Sequence, residues 1–476
     1  MSGWFWIMIV VYLAMLASVG FNSWRKTKSA EDYIMGGSKI GVFVGMLTFA
    51  ATLFSTFTLM GMPDFFRTHG VGAWIYLAIS DAAMFFLVIW FGLHLRRVAS
   101  QYNFQGMAGL LSQRYETRFA GAVYLCGIFL FLVPYVAIQI RGIAIFLTAV
   151  FPDTLPAWGW SLGIVCVMLA YSEVGGLRAI IHCDVIQGTI LLIVLWIIAV
   201  GCIRHFGGIS AMFEQVKQVD NALLSTPGPK GLFTPQFLIA SFFAILFLPV
   251  TQPQITTRLI IIKSRKTLFH MATGLGIFTL LVLLPTIAIG LYGAVKYTGV
   301  PTDVFIKGVL LHDQHDAIAA IVVVGLLAAA TSTADSQLFA LGSEVRSFLL
   351  LKGKSPLIVT RLAILTFGMA ALAFSIVSGN QLVLIARVSF AGTSMMAPMI
   401  LTGLFTRKRP GIEVVVATVL GLILFLYSQL PVFSGLPKMP HNIGPVRFDL
   451  ALLLTLGLVA VTSTTCRCRQ AKSPKS

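Results

Sequence analysis

The sequence ATLFSTFTLMGMP, residues 51–63, sets several hydroxyl side chains inside a long apolar stretch and ends on glycine and proline. A second stretch, FLPVTQP at residues 247–253, carries Pro249 and Pro253 between apolar runs. A proline inside a helix removes a backbone hydrogen bond and frees a carbonyl. In lipid, freed backbone groups occur only where they line a cavity or bind something. Both stretches therefore predict broken membrane helices around a binding site.

The composition of the chain supports a membrane location. Of its 476 residues, 57% are apolar and only 11% are charged, whereas soluble globular chains carry about 25% charged residues. This balance excludes an ordinary cytosolic enzyme and a disordered chain. The long apolar runs also argue against an outer-membrane barrel, whose strands alternate in polarity.

The apolar runs predict an all-α polytopic membrane protein with thirteen transmembrane helices. The predicted spans are 3–20, 40–63, 73–95, 119–149, 157–174, 181–203, 234–256, 268–295, 316–345, 359–378, 380–406, 411–430 and 449–465.

The basic residues predict how these spans are oriented. The net charge is +17, and loops on the cytoplasmic side of membrane proteins collect Lys and Arg. With the N-terminus outside, 24 basic residues, including those of segment 258–266, lie in cytoplasmic segments, and 8 lie in external loops. We therefore expect a multi-pass protein of a bacterial-type inner (plasma) membrane, with a cytoplasmic C-terminus. The excess positive charge is explained by topology and implies no nucleic-acid partner.

The two interrupted spans each begin a group of five helices, which is typical of inverted-repeat secondary transporters. Kinks that only aid packing are the alternative. The predicted order is a first helix and loop (1–39), a first repeat (40–206, helices two to six), an external loop (207–233), a second repeat (234–406, helices seven to eleven), two further helices (407–466) and a basic tail (467–476).

Two further motifs carry polar chemistry. In GGLRAIIHCDVIQ, residues 175–187, the glycine pair permits a tight turn and Asp184 begins the sixth span, where a carboxylate is costly unless it meets a cation. In AAATSTADSQ, residues 328–337, small side chains allow close helix approach. The hydroxyls and carboxylate of this motif offer the oxygen ligands that hard cations prefer. An intrahelical hydroxyl often only bonds its own helix.

Together these two motifs resemble the signatures of the sodium:solute symporter family over roughly residues 30 to 410. The resemblance implies a leucine-transporter-type fold, five plus five helices in inverted repeat. It also implies a sodium site between the second and ninth spans. Its ligands would be the carbonyls of Ala51, Phe54 and Ala329 and the hydroxyls of Ser332 and Thr333.

Some members of the family have a second sodium site, so the resemblance leaves one or two ions open. Its counterparts here would be Asp184, Ser332, Asp335 and Ser336. The sequence departs from the proline symporters at Leu53, where they carry an aspartate, and at Ile245 and Pro249, where they carry aromatic residues.

Three charges within spans bear on the solute. Asp81, Arg141 and Arg387 each lie on the order of 10–12 Å deep, counted along a helix. Arg141 suits a solute carboxylate and Asp81 an amine, or the two form a bracing ion pair; Arg387 is a gate candidate. Further solute-binding candidates lie at the two breaks: Ser55, Thr56, Phe57, Thr58, Pro249 and Gln252.

The sequence therefore predicts a symporter that imports a small, carboxylate-bearing solute, such as an amino acid or an organic or sugar acid, with sodium by alternating access. Three alternatives stay open. One is proton coupling, with Asp184 or Asp335 as the carrier. The second is a transporter-like sensor, and the third is a membrane-embedded enzyme, for which the eight histidines at span ends or in loops give little support. The solute and the oligomeric state stay open.

Overall fold

The computed structural model describes residues 2–37, 39–349, 355–377, 382–429 and 442–470, which are almost entirely helical. The helices are Ser2–Lys26 (α1), Ala30–Met35 (α2), Val42–Leu53 (α3), Met62–His69 (α4), Ser80–Tyr102 (α5), Met107–Arg114 (α6), Arg118–Val150 (α7), Ala157–His205 (α8), Ile209–Val219 (α9), Pro235–Leu246 (α10), Leu248–Thr251 (α11), Pro253–Ile261 (α12), Arg265–Lys296 (α13), Thr302–Lys307 (α14), Asp316–Leu349 (α15), Ser355–Val377 (α16), Leu382–Ser394 (α17), Ala397–Phe405 (α18), Ile412–Gln429 (α19) and Phe448–Gln470 (α20). Asn442–Ile443 and Val446–Arg447 form a small antiparallel pair (β1 and β2).

Most of these helices have the length and apolarity of membrane spans. Within the described ranges, ten helices qualify singly and two bent pairs qualify as broken spans, which gives up to twelve. Residues Ala157–Ala170, in the fifth predicted span, form only a shorter apolar helix. The all-helical membrane architecture is therefore confirmed, and the count of thirteen is not.

The predicted turn at the glycine pair is a sharp kink within α8. Gly176 has φ 61° and ψ −158°, a left-handed backbone region that glycine adopts readily. A Cβ atom at this position would lie 2.5 Å from the carbonyl oxygen of Tyr33. The kink and the close approach of α2 therefore both require glycine.

The two broken spans have the same local geometry. α3 ends before Phe54, whose backbone is extended (φ −96°, ψ 126°), and a π-helical turn, Phe57–Gly61, then leads into α4 with a bend of 62°. α11 ends before Gln252, which is equally extended (φ −96°, ψ 120°), and α12 follows with a bend of 52°. At the second break Pro253 enforces this geometry, because the residue before a proline disfavours the helical conformation.

Helix α15 lies at the centre of the bundle and brings the two breaks together. It packs against α1, α3, α7, α8, α12 and α16, and the alanines Ala328, Ala329, Ala330 and Ala334 on it are buried. Small side chains let the neighbouring backbones approach closely, so polar groups on α15 come within bonding distance of α3. The division into two inverted repeats stays a prediction.

The half-helix α4 is fixed by its contact with α13. A Cβ atom at Gly290 would lie 2.4 Å from the Phe66 Cβ atom and 2.7 Å from the Pro63 carbonyl oxygen. These distances are too short for any side chain, so α4 and α13 cross at the minimum separation that glycine allows.

We predict that Gly290→Val destabilises the protein by about 1–3 kcal/mol, because the added methyl groups force α4 and α13 apart. The matched control is Gly201→Val in α8, where an added Cβ atom meets nothing within 4 Å. Thermal unfolding of both variants in detergent measures the difference. Equal unfolding temperatures for the two variants would contradict the tight crossing.

Candidate functional site

The break after α3 releases one backbone carbonyl from helical hydrogen bonding. In a continuous helix the Ser55 amide would donate to the Ala51 carbonyl. Here that amide donates to the Thr58 Oγ1 atom at 3.0 Å. The Ala51 oxygen is thereby left without a helical partner while it is buried in the bundle.

Two hydroxyls of α15 meet this released carbonyl. Ser332 Oγ and Thr333 Oγ1 each donate to the Ala51 oxygen at 3.1 Å, and Ser332 Oγ also approaches the Ala329 carbonyl at 3.2 Å. Four of the five groups that the family resemblance implied as sodium ligands therefore lie together. The fifth residue, Phe54, is the extended residue of the break itself.

This cluster has the chemistry of a site for a hard monovalent cation. Its members are neutral carbonyl and hydroxyl oxygens, which suit hard cations. The hydroxyl hydrogens point at the carbonyl here, and rotation about the C–O bond turns their lone pairs towards an ion. The cluster can therefore exchange internal hydrogen bonds for contacts to a bound cation without moving the backbone.

A second polar cluster lies one helical turn away, around Asp184 of α8. Its Oδ2 atom accepts from Thr48 Oγ1 at 2.5 Å and from the Arg258 guanidinium at 2.7 Å. Arg258 also donates to Ser336 Oγ at 2.7 Å and to Thr48 Oγ1 at 2.9 Å. Asp184 and Ser336, which the resemblance implied as second-site sodium ligands, are thus joined through an arginine. Asp335 lies buried beside Ser336 on α15.

Sequence reasoning missed Arg258, which it counted among the cytoplasmic charges of segment 258–266. The structure instead buries Arg258 almost completely in α12, five residues after Pro253. A signal was available, because a buried carboxylate such as Asp184 requires a cation. Only the tertiary fold shows that α12 brings Arg258 to it.

A third group of polar side chains attaches the first helix to this region. The Gln187 amide donates to Tyr12 Oη at 2.9 Å and to Thr331 Oγ1 at 3.1 Å, and Tyr12 Oη lies 3.2 Å from Thr331 Oγ1. All three side chains are buried. Tyr12 therefore anchors α1 beside the ion-site segment of α15.

A small central cavity of about 40 Å³ lies between the two helix breaks. Residues of both breaks line it, including Phe57 and Gln252, together with Asp81 of α5 and Tyr135 of α7. Leu53 and Ile245, where the sequence departs from the proline symporters, also line it.

The remaining solute-binding candidates at the breaks are buried but do not belong to the cavity lining. The Ser55 amide is bonded to Thr58 Oγ1 and the Phe57 amide to Ser55 Oγ at 3.3 Å, so these hydroxyls shape the break. Thr56 Oγ1 is buried and has no hydrogen-bond partner in the part of the chain that the structure describes. Pro249 lies within α11.

The two arginines within spans lie away from the central cavity. Arg141 lines a separate cavity of about 200 Å³ beside Trp158 and donates to the Ser375 and Ile376 carbonyls at 3.0 and 3.4 Å. Asp81 and Arg141 therefore face different cavities. Arg387 forms an ion pair with Asp449 of α20 at 2.7 Å and donates to Ser241 Oγ at 3.0 Å.

The sequence profile of the sodium:solute symporter family matches residues 33–409, which include both helix breaks and both polar clusters. The chain belongs to the sodium:solute symporter family. This confirms the resemblance, and because members of the family are transporters it argues against a membrane-embedded enzyme.

Relatives within the symporter family share about a quarter of their residues with this chain. The sodium/proline symporter of Salmonella typhimurium is 24% identical, covering 92% of this chain and 91% of the relative. The sodium/pantothenate symporter of Haemophilus influenzae is 23% identical, covering 69% of each chain.

Two solved structures of transporters with the leucine-transporter-type fold share the overall fold of this chain. A sodium-coupled sialic acid symporter in a substrate-bound, outward-open state aligns with a TM-score of 0.78 at 20% identity, covering 97% of both chains. The nucleobase-cation-symport family transporter Mhp1 aligns with a TM-score of 0.58 at 12% identity, covering 94% of this chain and 96% of that chain.

We predict that Arg258→Gln and Asp184→Asn each lower the free energy of unfolding by about 3–5 kcal/mol, because each leaves its partner buried and unpaired. The double variant should lose less unfolding free energy than the sum of the two single losses, since neither buried charge then remains. Thermal unfolding in detergent measures all three variants.

The control for this double-variant cycle is the exposed pair of Arg409 and Glu116, whose atoms lie 2.9 Å apart. Arg409→Gln should lower the free energy of unfolding by about 0–1 kcal/mol. Additive losses for Arg258→Gln and Asp184→Asn would contradict direct pairing of the two side chains.

Proposed function

We propose that this protein imports a small organic solute together with sodium by alternating access. The observation that carries the proposal is the Ala51 carbonyl, which the break after α3 removes from its helix and which faces the hydroxyls of Ser332 and Thr333. A sodium ion bound there joins α3 to α15. The ion then stabilises the arrangement in which the central cavity can receive the solute.

Coupling follows if the ion and the solute both bind one conformation more tightly than the other. The central cavity lies directly beside the same break, since Thr52, Leu53 and Phe54 line it. Sodium binding at Ala51 therefore orders the backbone that forms one wall of the solute site. Loss of sodium on the opposite side of the membrane releases that wall and the solute with it.

The membrane potential supplies enough energy for concentration of the solute. Moving one positive charge through ~100 mV yields about 2.3 kcal/mol, which corresponds to roughly fifty-fold accumulation. The direction of transport rests on the orientation predicted from the basic residues, with the N-terminus outside. With that orientation in a bacterial-type inner membrane, the sodium gradient and the potential both drive import.

The cluster of Asp184 and Arg258 supports a second role, in holding α8 and α12 together. Any second sodium ion would share the Asp184 carboxylate with this arginine, through the buried Oδ1 atom, which has no hydrogen-bond partner among the described residues. Asp184 is also the carboxylate that proton coupling would use. Uptake into proteoliposomes with an imposed sodium gradient or an imposed proton gradient separates the two couplings, and uptake under neither would favour a sensor.

The prediction that the solute carries a carboxylate depended on Arg141 as its binding partner. The position of the Arg141 side chain does not favour that role. Arg141 binds carbonyls at the end of α16 and lines a cavity separate from the central one. A basic side chain at a helix C-terminus stabilises the unpaired carbonyls there. We propose that Arg141 braces α16 against α7.

We predict that Ser332→Ala combined with Thr333→Ala raises the sodium concentration for half-maximal uptake by at least about tenfold, because two ion ligands are lost at once, each worth roughly 1 kcal/mol. Proteoliposome uptake at graded sodium concentrations measures the effect. The matched control is Thr462→Ala with Thr465→Ala, which removes two exposed hydroxyls of α20 that bond their own helix. Unchanged sodium dependence in the first variant would reject the site.

We predict that Arg141→Ala lowers the unfolding temperature but leaves the KM of uptake unchanged, because the side chain contacts α16 rather than the solute. Arg204→Ala, at an exposed position near the end of α8, serves as the control for loss of a positive charge. A greatly raised KM at an unchanged unfolding temperature would instead assign Arg141 to the solute.

A further inference from the structure

We propose that the solute carries a positively charged nitrogen, which binds to the carboxylate of Asp81 within the aromatic walls of the central cavity. This inference rests on the proposed symport function and names the chemical class of the solute. A carboxylate on the solute is not required for this contact.

Asp81 is a buried carboxylate to which the described part of the chain supplies no partner. Its side chain is 8% exposed and lines the central cavity. No described residue donates a hydrogen bond to it or forms an ion pair with it, in contrast to Asp184 and Asp449, which bind arginines. A charge in such a place is costly unless it meets a cation, and the open side of Asp81 faces the cavity.

The walls around Asp81 favour a cation as well. Phe54, Phe57, Tyr76, Tyr135 and Phe390 all line the cavity, and the rings of Tyr135 and Phe390 lie 4.8 Å apart between centroids. Aromatic faces attract ammonium groups, most strongly where water is excluded. An anion in this cavity would instead meet the Asp81 carboxylate.

No basic side chain in the described part of the chain forms an ion pair with this carboxylate. The described lining residues of the cavity include no lysine, arginine or histidine. Arg387, one helical turn before Phe390, is paired with Asp449 at 2.7 Å. Arg141 lies in the separate cavity against α16. A positive group on the solute would therefore supply the charge that the described residues do not offer to Asp81.

A second polar group in the cavity, on Gln252, restricts the chemical class of the solute further. Gln252 lines the cavity at the other break and is 2% exposed. Its Nε2 atom has no hydrogen-bond partner among the described residues. Its Oε1 atom accepts from the Gln254 amide, so the free donor is available to a ligand. A solute that carries an ammonium group and an oxygen acceptor satisfies both Asp81 and Gln252. The small cavity favours a compact molecule.

The experiment compares amines with carboxylates of matched shape on the full-length protein in detergent. Ethanolamine is paired with glycolate, and prolinol, which keeps the ring amine of proline, with tetrahydrofuroate, which keeps the carboxylate and lacks the amine. The unfolding temperature is measured with each compound in sodium and in potassium buffer, since a bound ligand stabilises the folded state. We expect an amine to protect in sodium and its carboxylate counterpart to have no effect.

The variant Asp81→Asn keeps the shape of the side chain and removes its charge. We expect it to weaken binding of the protecting amine by about thirtyfold or more, as loss of a buried charge partner does. Asp153→Asn, in the exposed loop after α7, is the control. Size-exclusion chromatography reports whether Asp81→Asn folds, and the comparison of compounds on the wild-type protein does not depend on that variant.

Three outcomes would overturn the inference: protection by a carboxylate that lacks an amine, no protection by either amine, or unchanged amine binding in Asp81→Asn. Its failure is distinct from failure of sodium symport. If sodium alone stabilises the wild-type protein and this effect is lost in the Ser332→Ala, Thr333→Ala variant, the ion site stands whichever solute binds. If sodium has no effect at all, the proposed function itself is rejected.

Discussion

The unpaired backbone carbonyl of Ala51 is the constraint on which the rest of this structure depends. A buried carbonyl must find a partner when no water is present, and the Ser55 amide, its helical partner, bonds Thr58 instead. Ser332 and Thr333 of α15 satisfy it. The same break that forms the candidate ion site therefore requires α15 to lie against α3, and α15 needs small neighbouring residues to come that close.

The oxygen cluster around Ala51 and the two hydroxyls that bind Arg258 lie on successive turns of α3 and α15. Thr48 precedes Ala51 by one turn of α3, and Ser336 follows Ser332 by one turn of α15. Arg258 bonds both Thr48 and Ser336, so α12, which follows the second break, is tied to the helices of the first site. A shift of α3 against α15 at one site must therefore strain the other, which provides a physical route for coupling the two breaks.

Local sequence signals predicted the two breaks, because prolines and mid-span hydroxyls act on their own helix. The partnership of Ala51 with Ser332 and Thr333 followed only from the family resemblance. Contacts that depend on how helices face one another were not predictable. The depth of Arg141 along its helix gave no information on the side of α7 from which its side chain projects. Arg387 pairs with Asp449, which lies 62 residues further along the chain in another helix. Arg258 was counted as a loop charge because α12 is too short for apolar periodicity to identify.

The placement of charged side chains around the central cavity is the basis for proposing a positively charged group on the solute. Within the described part of the chain, Asp184, Asp449 and Asp313 each bind a basic side chain, whereas the carboxylate of Asp81 faces only the cavity and its aromatic walls. In a low-dielectric interior an uncompensated charge dominates the local potential. The proposed positive group of the solute would meet a carboxylate between the two broken helices whose described neighbours carry no balancing charge. The proposed charge of the solute therefore rests on two observations: the described lining of the cavity contains Asp81, and it contains no lysine, arginine or histidine.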